Sequence, residues 1–213
     1  MFGWTQTQDR ELTVEQARKV THILVIDDQE WGFKDTFERD GYHIERWATI
    51  KNMSQLTDGH YHVILLDIHG VGLEESPDEQ GLGILEHIKN ANPAQAVIAY
   101  SARKHAASAS TVLARADAVM DKRANYLEYK TQIDRLLVSR AQASHYVESM
   151  NHQLGPYAAR VPKAVPKAIR ALRTGRTGSL QKYLERNVGD AETIQLVLSV
   201  ISIGVTTLAA VKS

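Results

Sequence analysis

HVILLDI (His62–Ile68) is apolar from Val63 to Leu66 and then turns acidic at Asp67. A short apolar run without alternation has no face it can leave to water, which is the pattern of a strand buried on both sides of a parallel sheet. Upstream, HILVID (His22–Asp27) repeats it with a β-branched run that ends in Asp27 and Asp28. Downstream, AVIAYSA (Ala96–Ala102) carries Ser101 at its end, and ADAVMDK (Ala116–Lys122) ends in Lys122. YHIERWA (Tyr42–Ala48) supplies a fifth strand. Helices are expected between them, over Glu30–Arg39 (with Gly41 as the stop), Lys51–Leu56, Gly83–Asn90, Ala106–Ala114 and a long one over Tyr126–Tyr146. Alternating strands and helices predict an α/β domain with a doubly wound five-stranded parallel sheet.

In such sheets ligands bind at the carboxyl ends of the strands. Asp27, Asp28, Asp67, Ser101 and Lys122 should therefore meet at one edge. Three carboxylates packed together repel one another unless a cation joins them. All-oxygen ligation with room for water suits Mg²⁺. The expected product is a Mg²⁺ site with one carboxylate left as nucleophile.

VIDDQE, ILLDI, YSA and DK, in this order and spacing, resemble the receiver domain of response regulators, the CheY-like family. The resemblance covers roughly His22 to Val138. It implies a flavodoxin-like fold with strand order 2-1-3-4-5. It also implies that Asp67 is the phospho-acceptor of a two-component phosphorelay. Asp27, Asp28, Asp67 and the backbone carbonyl of His69 would hold Mg²⁺, Lys122 would pair with a phosphoryl oxygen, and Ser101 would hydrogen-bond another. Mg²⁺ disfavours an imidazole ligand, so the His69 side chain is not assigned to the metal. The implied donor is a sensor histidine kinase or a phosphotransfer protein. Such a chain is not a conventional enzyme, although receivers speed their own phosphorylation and dephosphorylation.

Three features depart from the family. Arg123 stands where a proline usually follows the lysine. Val119 stands where the fifth strand usually carries an aromatic switch residue. The loop after Asp67, HGVGLEESPDEQGLG, is long: if Gly83 is the family's glycine, it holds an insertion of about eight residues with Glu74, Glu75, Asp78 and Glu79. These departures keep a second reading open, a constitutive scaffold with a receiver fold in which phosphorylation is not the switch. A haloacid-dehalogenase-type enzyme would need a second Asp two residues after its nucleophile, and that place after Asp67 is His69.

The formal net charge is zero over 213 residues, but unevenly distributed. Residues 1–139 hold 15 Lys+Arg against 21 Asp+Glu, a net of −6, and residues 140–213 hold 10 against 4, a net of +6. The expected organisation is an N-terminal extension over 1–20, the receiver over 21–140, and a basic helical linker with an apolar C-terminal helix over 141–213. There is no cysteine, which excludes disulfides, thiolate metal sites and cysteine nucleophiles. The first twenty residues lack a basic stretch followed by an apolar core, so a cytoplasmic location is expected rather than secretion.

Arg160–Arg186 carries eight basic residues against Glu185 alone, and IQLVLSVISIGVTTLAAV (Ile194–Val211) is eighteen residues without a charge. That length reaches the lower end of a membrane span, and the basic flank fits a tail anchor at the inner face of a membrane. Gln195, Ser199, Ser202, Thr206 and Ala209 form a stripe of small and polar side chains, as in helices that pair in membranes. The same helix could instead be buried in a homo-oligomer or an effector module. The basic segment lacks interleaved aromatics apart from Tyr157 and Tyr183, which argues against specific nucleic-acid recognition.

Overall fold

A computed structural model describes residues 13–102, 111–140 and 142–212. Five parallel strands form one sheet: β1 (His22–Ile26), β2 (His43–Trp47), β3 (Val63–Asp67), β4 (Ala96–Ser101) and β5 (Ala118–Asp121), in the order β2-β1-β3-β4-β5. The expected fold class and strand order are both present. The register pairs His22 with His43, Ile23 with Val63, Val63 with Ala96, and Ile98 with Ala118. Strands β3 and β4 are buried at every position, which is why they read as unbroken apolar runs.

Each face of the sheet has its own core. Ile23, Val25, Val63, Leu65, Ile98 and Tyr100 pack with Phe37, Tyr129, Ile133 and Leu137, from α2 (Lys34–Arg39) and α4 (Tyr126–Arg140). Leu24, Ile26, Ile64, Leu66, Val97 and Ala99 pack with Leu56, Ile84, Leu85 and Ile88. The last three lie on α3 (Gly81–Ala91), and Leu56 closes a 3₁₀ turn, Ser54–Leu56, where a short helix was expected. An additional helix, α1 (Val14–Val20), is opened by a Thr13–Gln16 capping box and tied to α4 by Arg18 and Asp134 at 3.1 Å.

Several boundaries differ from those expected, for local reasons. Helix α2 starts at Lys34 rather than Glu30. The Arg46 guanidinium donates to the carbonyls of Asp27 (2.8 Å) and Gln29 (3.0 Å) and holds the preceding segment as a loop. Helix α3 starts at Gly81 rather than Gly83. The long helix expected over Tyr126–Tyr146 is two helices, α4 and α5 (Ala143–Leu154), because Gln142 is extended at φ −107°, ψ 130°. There the Tyr146 hydroxyl donates to the Arg140 carbonyl at 2.8 Å, fixing the corner. The helix expected over Ala106–Ala114 lies mostly outside the described residues; 111–113 are helical.

Residues 143–208 build a helical bundle with its own core. Helices α5, α6 (Ala164–Thr174), α7 (Gly178–Asn187) and α8 (Ala191–Lys212) contribute Tyr146, Met150, Leu154, Ala168, Leu172, Leu180, Leu184, Val197, Val200 and Ile201. The C-terminal segment thus packs as a helical module. Among the described residues α8 is the one helix long and apolar enough to cross a membrane. Its apolar side is buried against its own neighbours, and Gly204 lets it press on Tyr146 and Leu172, where an added Cβ would lie 2.6 Å from each. Gln195, Ser202, Thr206 and Ala209 are exposed and Ser199 is half-buried, so the stripe of small and polar side chains lies on the side of α8 turned away from the bundle core.

The bundle sits at the amino ends of the strands. Ala94, just ahead of β4, belongs to the bundle core, and Gly59, ahead of β3, meets Ile203. At this seam Asp117 pairs with Lys89 (2.6 Å) and with Arg140 (2.5 Å), and both cations are 4% exposed. Burial alone would raise the Asp117 carboxyl, but Lys89 and Arg140 reverse that and hold it below its ordinary pKa. Burial and the adjacent Arg140 charge push His145 down to about 4, so its imidazole stays neutral at the seam.

Candidate functional site

The opposite, carboxyl edge of the sheet gathers the five expected side chains. Strand β1 delivers the fully buried Asp27 and the exposed Asp28, and β3 delivers Asp67, 3% exposed. One carboxylate oxygen from each of the three lies within 4.8 Å of the others. Lys122, just past β5, reaches back between two of them, with Nζ 2.5 Å from Asp67 Oδ2 and 3.0 Å from Asp27 Oδ1. Burial works against this ammonium, but the two carboxylates outweigh it and keep its pKa above that of a free lysine. Ser101 ends β4, is 5% exposed, and its carbonyl accepts from the Lys122 N–H at 2.9 Å. The His69 N–H donates to Asp67 Oδ1 at 3.1 Å, which lays the backbone of that loop against the carboxylate.

The donor set fits a hard cation: three convergent carboxylates, two of them buried and one open to solvent as a route of entry. The loop backbone is shaped around it. Gly70 has φ +88°, and a Cβ there would fall 2.6 Å from Asp28 Oδ2. Gly81 lies so close to the end of β3 that a Cβ would be 2.2 Å from the Asp67 carbonyl oxygen. Gly81 is therefore the glycine that packs behind the acidic strand end, fourteen residues after Asp67 and not the sixteen that Gly83 would give. Gly83 makes room elsewhere. A Cβ on it would lie 2.3 Å from Ser76 Oγ, because the acidic loop folds back onto α3 there. That loop is held by Ser76 N–H to the Gly72 carbonyl (2.8 Å) and by Gly70 N–H to Gln80 Oε1 (2.9 Å).

Two contributors were not singled out from sequence. Arg46 clamps the loop after β1 through the carbonyls of Asp27 and Gln29. Tyr100, one residue before Ser101, is wholly buried and donates its hydroxyl to Asp27 Oδ2 at 2.8 Å. Burial and the Asp27 charge push its phenol well above the ordinary value, so it stays a donor. A hydroxyl inside the otherwise apolar run AVIAY was the available signal. The two departures are also visible: Val119 is 52% exposed on the edge strand, and Arg123 folds onto Asp121, Nε to Oδ1 at 3.2 Å, with trans peptide bonds throughout the described residues.

Order β2-β1-β3-β4-β5 with acids after β1 and β3, a hydroxyl after β4 and a lysine after β5 settles the architecture. The front domain has the receiver fold. Among solved structures, a CheY-like response regulator receiver domain from Methanospirillum hungatei is 23% identical over 55% of this chain and 93% of its own, with a TM-score of 0.43. The response regulator TrrA from Thermotoga maritima, solved with Mg²⁺ and BeF, is 25% identical over 55% of this chain and 98% of its own, at 0.43. TrrA in complex with the histidine kinase ThkA gives 25%, 55%, 98% and 0.42. No protein-family profile matches the sequence, and no curated protein matches it.

Proposed function

We propose that this chain is a phospho-acceptor receiver protein of a two-component phosphorelay, modified on Asp67 in the presence of Mg²⁺. The observation that carries this reading is the Lys122 ammonium held between Asp67 and Asp27 beside a third carboxylate. That arrangement leaves one nucleophilic carboxylate next to a fixed positive charge, the pairing phosphoryl transfer needs.

In this reading a carboxylate oxygen of Asp67 forms a new bond to phosphorus in line with the bond to the donor, a phosphohistidine nitrogen of a sensor kinase or phosphotransfer protein. That bond breaks as the acyl phosphate forms. A Mg²⁺ held by Asp27, Asp28, Asp67 and the His69 carbonyl would neutralise charge on the transferring group. Lys122 stays beside a phosphoryl oxygen as a point charge, and the Ser101 hydroxyl hydrogen-bonds another and draws the loop after β4 inward. With Val119 in place of an aromatic, this movement is not coupled to a ring on β5.

The output runs through the helical bundle, which α4 joins at Arg140. The buried packing of α8 favours a core helix of a cytoplasmic module over a tail anchor. Homo-oligomerisation through the bundle surface remains the form the output would take. The exposed Val119 favours the scaffold reading as the alternative.

Intact mass after incubation with Mg²⁺ and acetyl phosphate separates the two. A single phosphoryl adduct in the wild type, lost in Asp67→Ala, supports the phospho-acceptor. No adduct under conditions that label a known receiver refutes it and leaves the scaffold.

A further inference from the structure

We infer that Tyr100 is a positioning residue for the divalent cation, fixing the Asp27 carboxylate in the orientation that shares a cation with Asp28 and Asp67. The inference rests on the metal-binding part of the proposed function.

A carboxylate at the end of a strand can rotate about its terminal bond, and a cation site made of three such groups is only as good as their alignment. Asp27 is held on both oxygens. Its Oδ1 accepts from the Gln29 N–H at 2.9 Å and from Lys122 Nζ at 3.0 Å, and its Oδ2 accepts from the Tyr100 hydroxyl at 2.8 Å. Lys122 also serves Asp67, so its hold on Asp27 is shared. The Tyr100 hydroxyl is the only donor on Oδ2 among the described residues for which a bond is seen, and it is committed to Asp27 alone.

The phenol is itself immobile. Tyr100 is 0% exposed, sits in register beside Asp67, and meets the Tyr129 ring edge-on at 6.0 Å and 90°. Tyr129 is buried in turn against Trp31 at 5.6 Å. A phenylalanine would fill the same space without asking for a hydrogen-bond partner, so packing accounts for the ring and not for the hydroxyl. What the hydroxyl adds is a fixed donor behind a metal-ligating carboxylate. Such outer partners typically change metal affinity by about 10–100-fold.

The test uses Mn²⁺ as the probe, an oxygen-preferring ion whose free form is counted by electron paramagnetic resonance. Wild type, Tyr100→Phe and Tyr61→Phe are titrated as full-length chains. Tyr61 is the control: it is 2% exposed and donates to Oε2 of the exposed Glu45 at 2.6 Å, so its variant also strips a carboxylate-bound hydroxyl from a buried tyrosine ring, but away from the acidic site. The expected result is a dissociation constant raised about 10-fold or more for Tyr100→Phe, with Tyr61→Phe like the wild type and cooperative urea unfolding retained by both in EDTA. Equal binding by wild type and Tyr100→Phe overturns the inference and leaves the metal site standing. An equal loss in Tyr61→Phe also overturns it, because the effect would then be general weakening. A wild type that binds no Mn²⁺ overturns the metal site and the inference together.

Discussion

Replacing Lys122 by methionine removes the ammonium that lies between two nearly inaccessible carboxylates. Asp27 is 0% and Asp67 4% exposed at the side chain, against 24% for Lys122, at contact distances of 3.0 and 2.5 Å. Removing one partner of a buried ion pair costs about 3–5 kcal/mol because the other charge is stranded. Lys122 is partly wet, so water already screens some of that interaction, and about 2–3 kcal/mol is the expected loss without metal. With a urea slope of roughly 1–3 kcal/mol per molar, the unfolding midpoint should fall by about 1 M or more. A divalent cation supplies replacement charge. At about 100 times its dissociation constant it adds about 2.7 kcal/mol, and the variant should gain more from Mg²⁺ than the wild type, since its carboxylates repel one another more. The assay is urea unfolding followed by circular dichroism, in EDTA and in Mg²⁺, for both proteins. An unchanged midpoint in EDTA would refute the energetic role given to these contacts. Equal Mg²⁺ gains in the two proteins would refute the substitution of metal charge for lysine charge.

The seam should be as sensitive. Asp117→Asn strands Lys89 and Arg140, both 4% exposed, and should cost about 3 kcal/mol at pH 7. The folded pKa of Asp117 is depressed, so its stabilisation is complete above the unfolded value of about 4 and is lost as pH falls through the lower folded value. Urea midpoints of wild type and variant should therefore converge below about pH 4; a constant gap down to pH 2 would contradict this. Gly81→Ala drives a Cβ to within 2.2 Å of the Asp67 carbonyl oxygen, and should cost about 1–3 kcal/mol and slow labelling by acetyl phosphate in a mass time course. Paired Ser202→Glu and Thr206→Glu substitutions fall on the exposed edge of α8 and should change stability by no more than about 0.5 kcal/mol. A collapse of the bundle in thermal unfolding would show that this edge is covered.

The expected site residues needed only one-dimensional information. Buried parallel strands must be apolar throughout, so a polar residue at their end announces itself, and Asp27, Asp67 and Ser101 each end such a run, while Lys122 follows the half-exposed edge strand β5. The glycine assignment failed because GLG offers two candidates two residues apart, and only the approach of Gly81 to β3 and of Gly83 to Ser76 tells them apart. Tyr100 was hidden for a related reason: a tyrosine in a buried strand reads as an apolar residue until its hydroxyl has a partner, and Asp27 is 73 positions away in sequence.

The sequence by itself determined the strands of the sheet and its acidic edge, because strand burial and strand-end chemistry are written in short contiguous runs; the order of the strands followed only from the resemblance those strand ends carry. Only the tertiary structure showed that the C-terminal region packs as a helical bundle. Eighteen uncharged residues satisfy a lipid bilayer and a protein core alike, since both reward the same apolar surface. The difference lies in what covers that surface, and here Tyr146, Leu172 and their neighbours on separate helices cover part of it while Gln195, Ser202 and Thr206 are exposed.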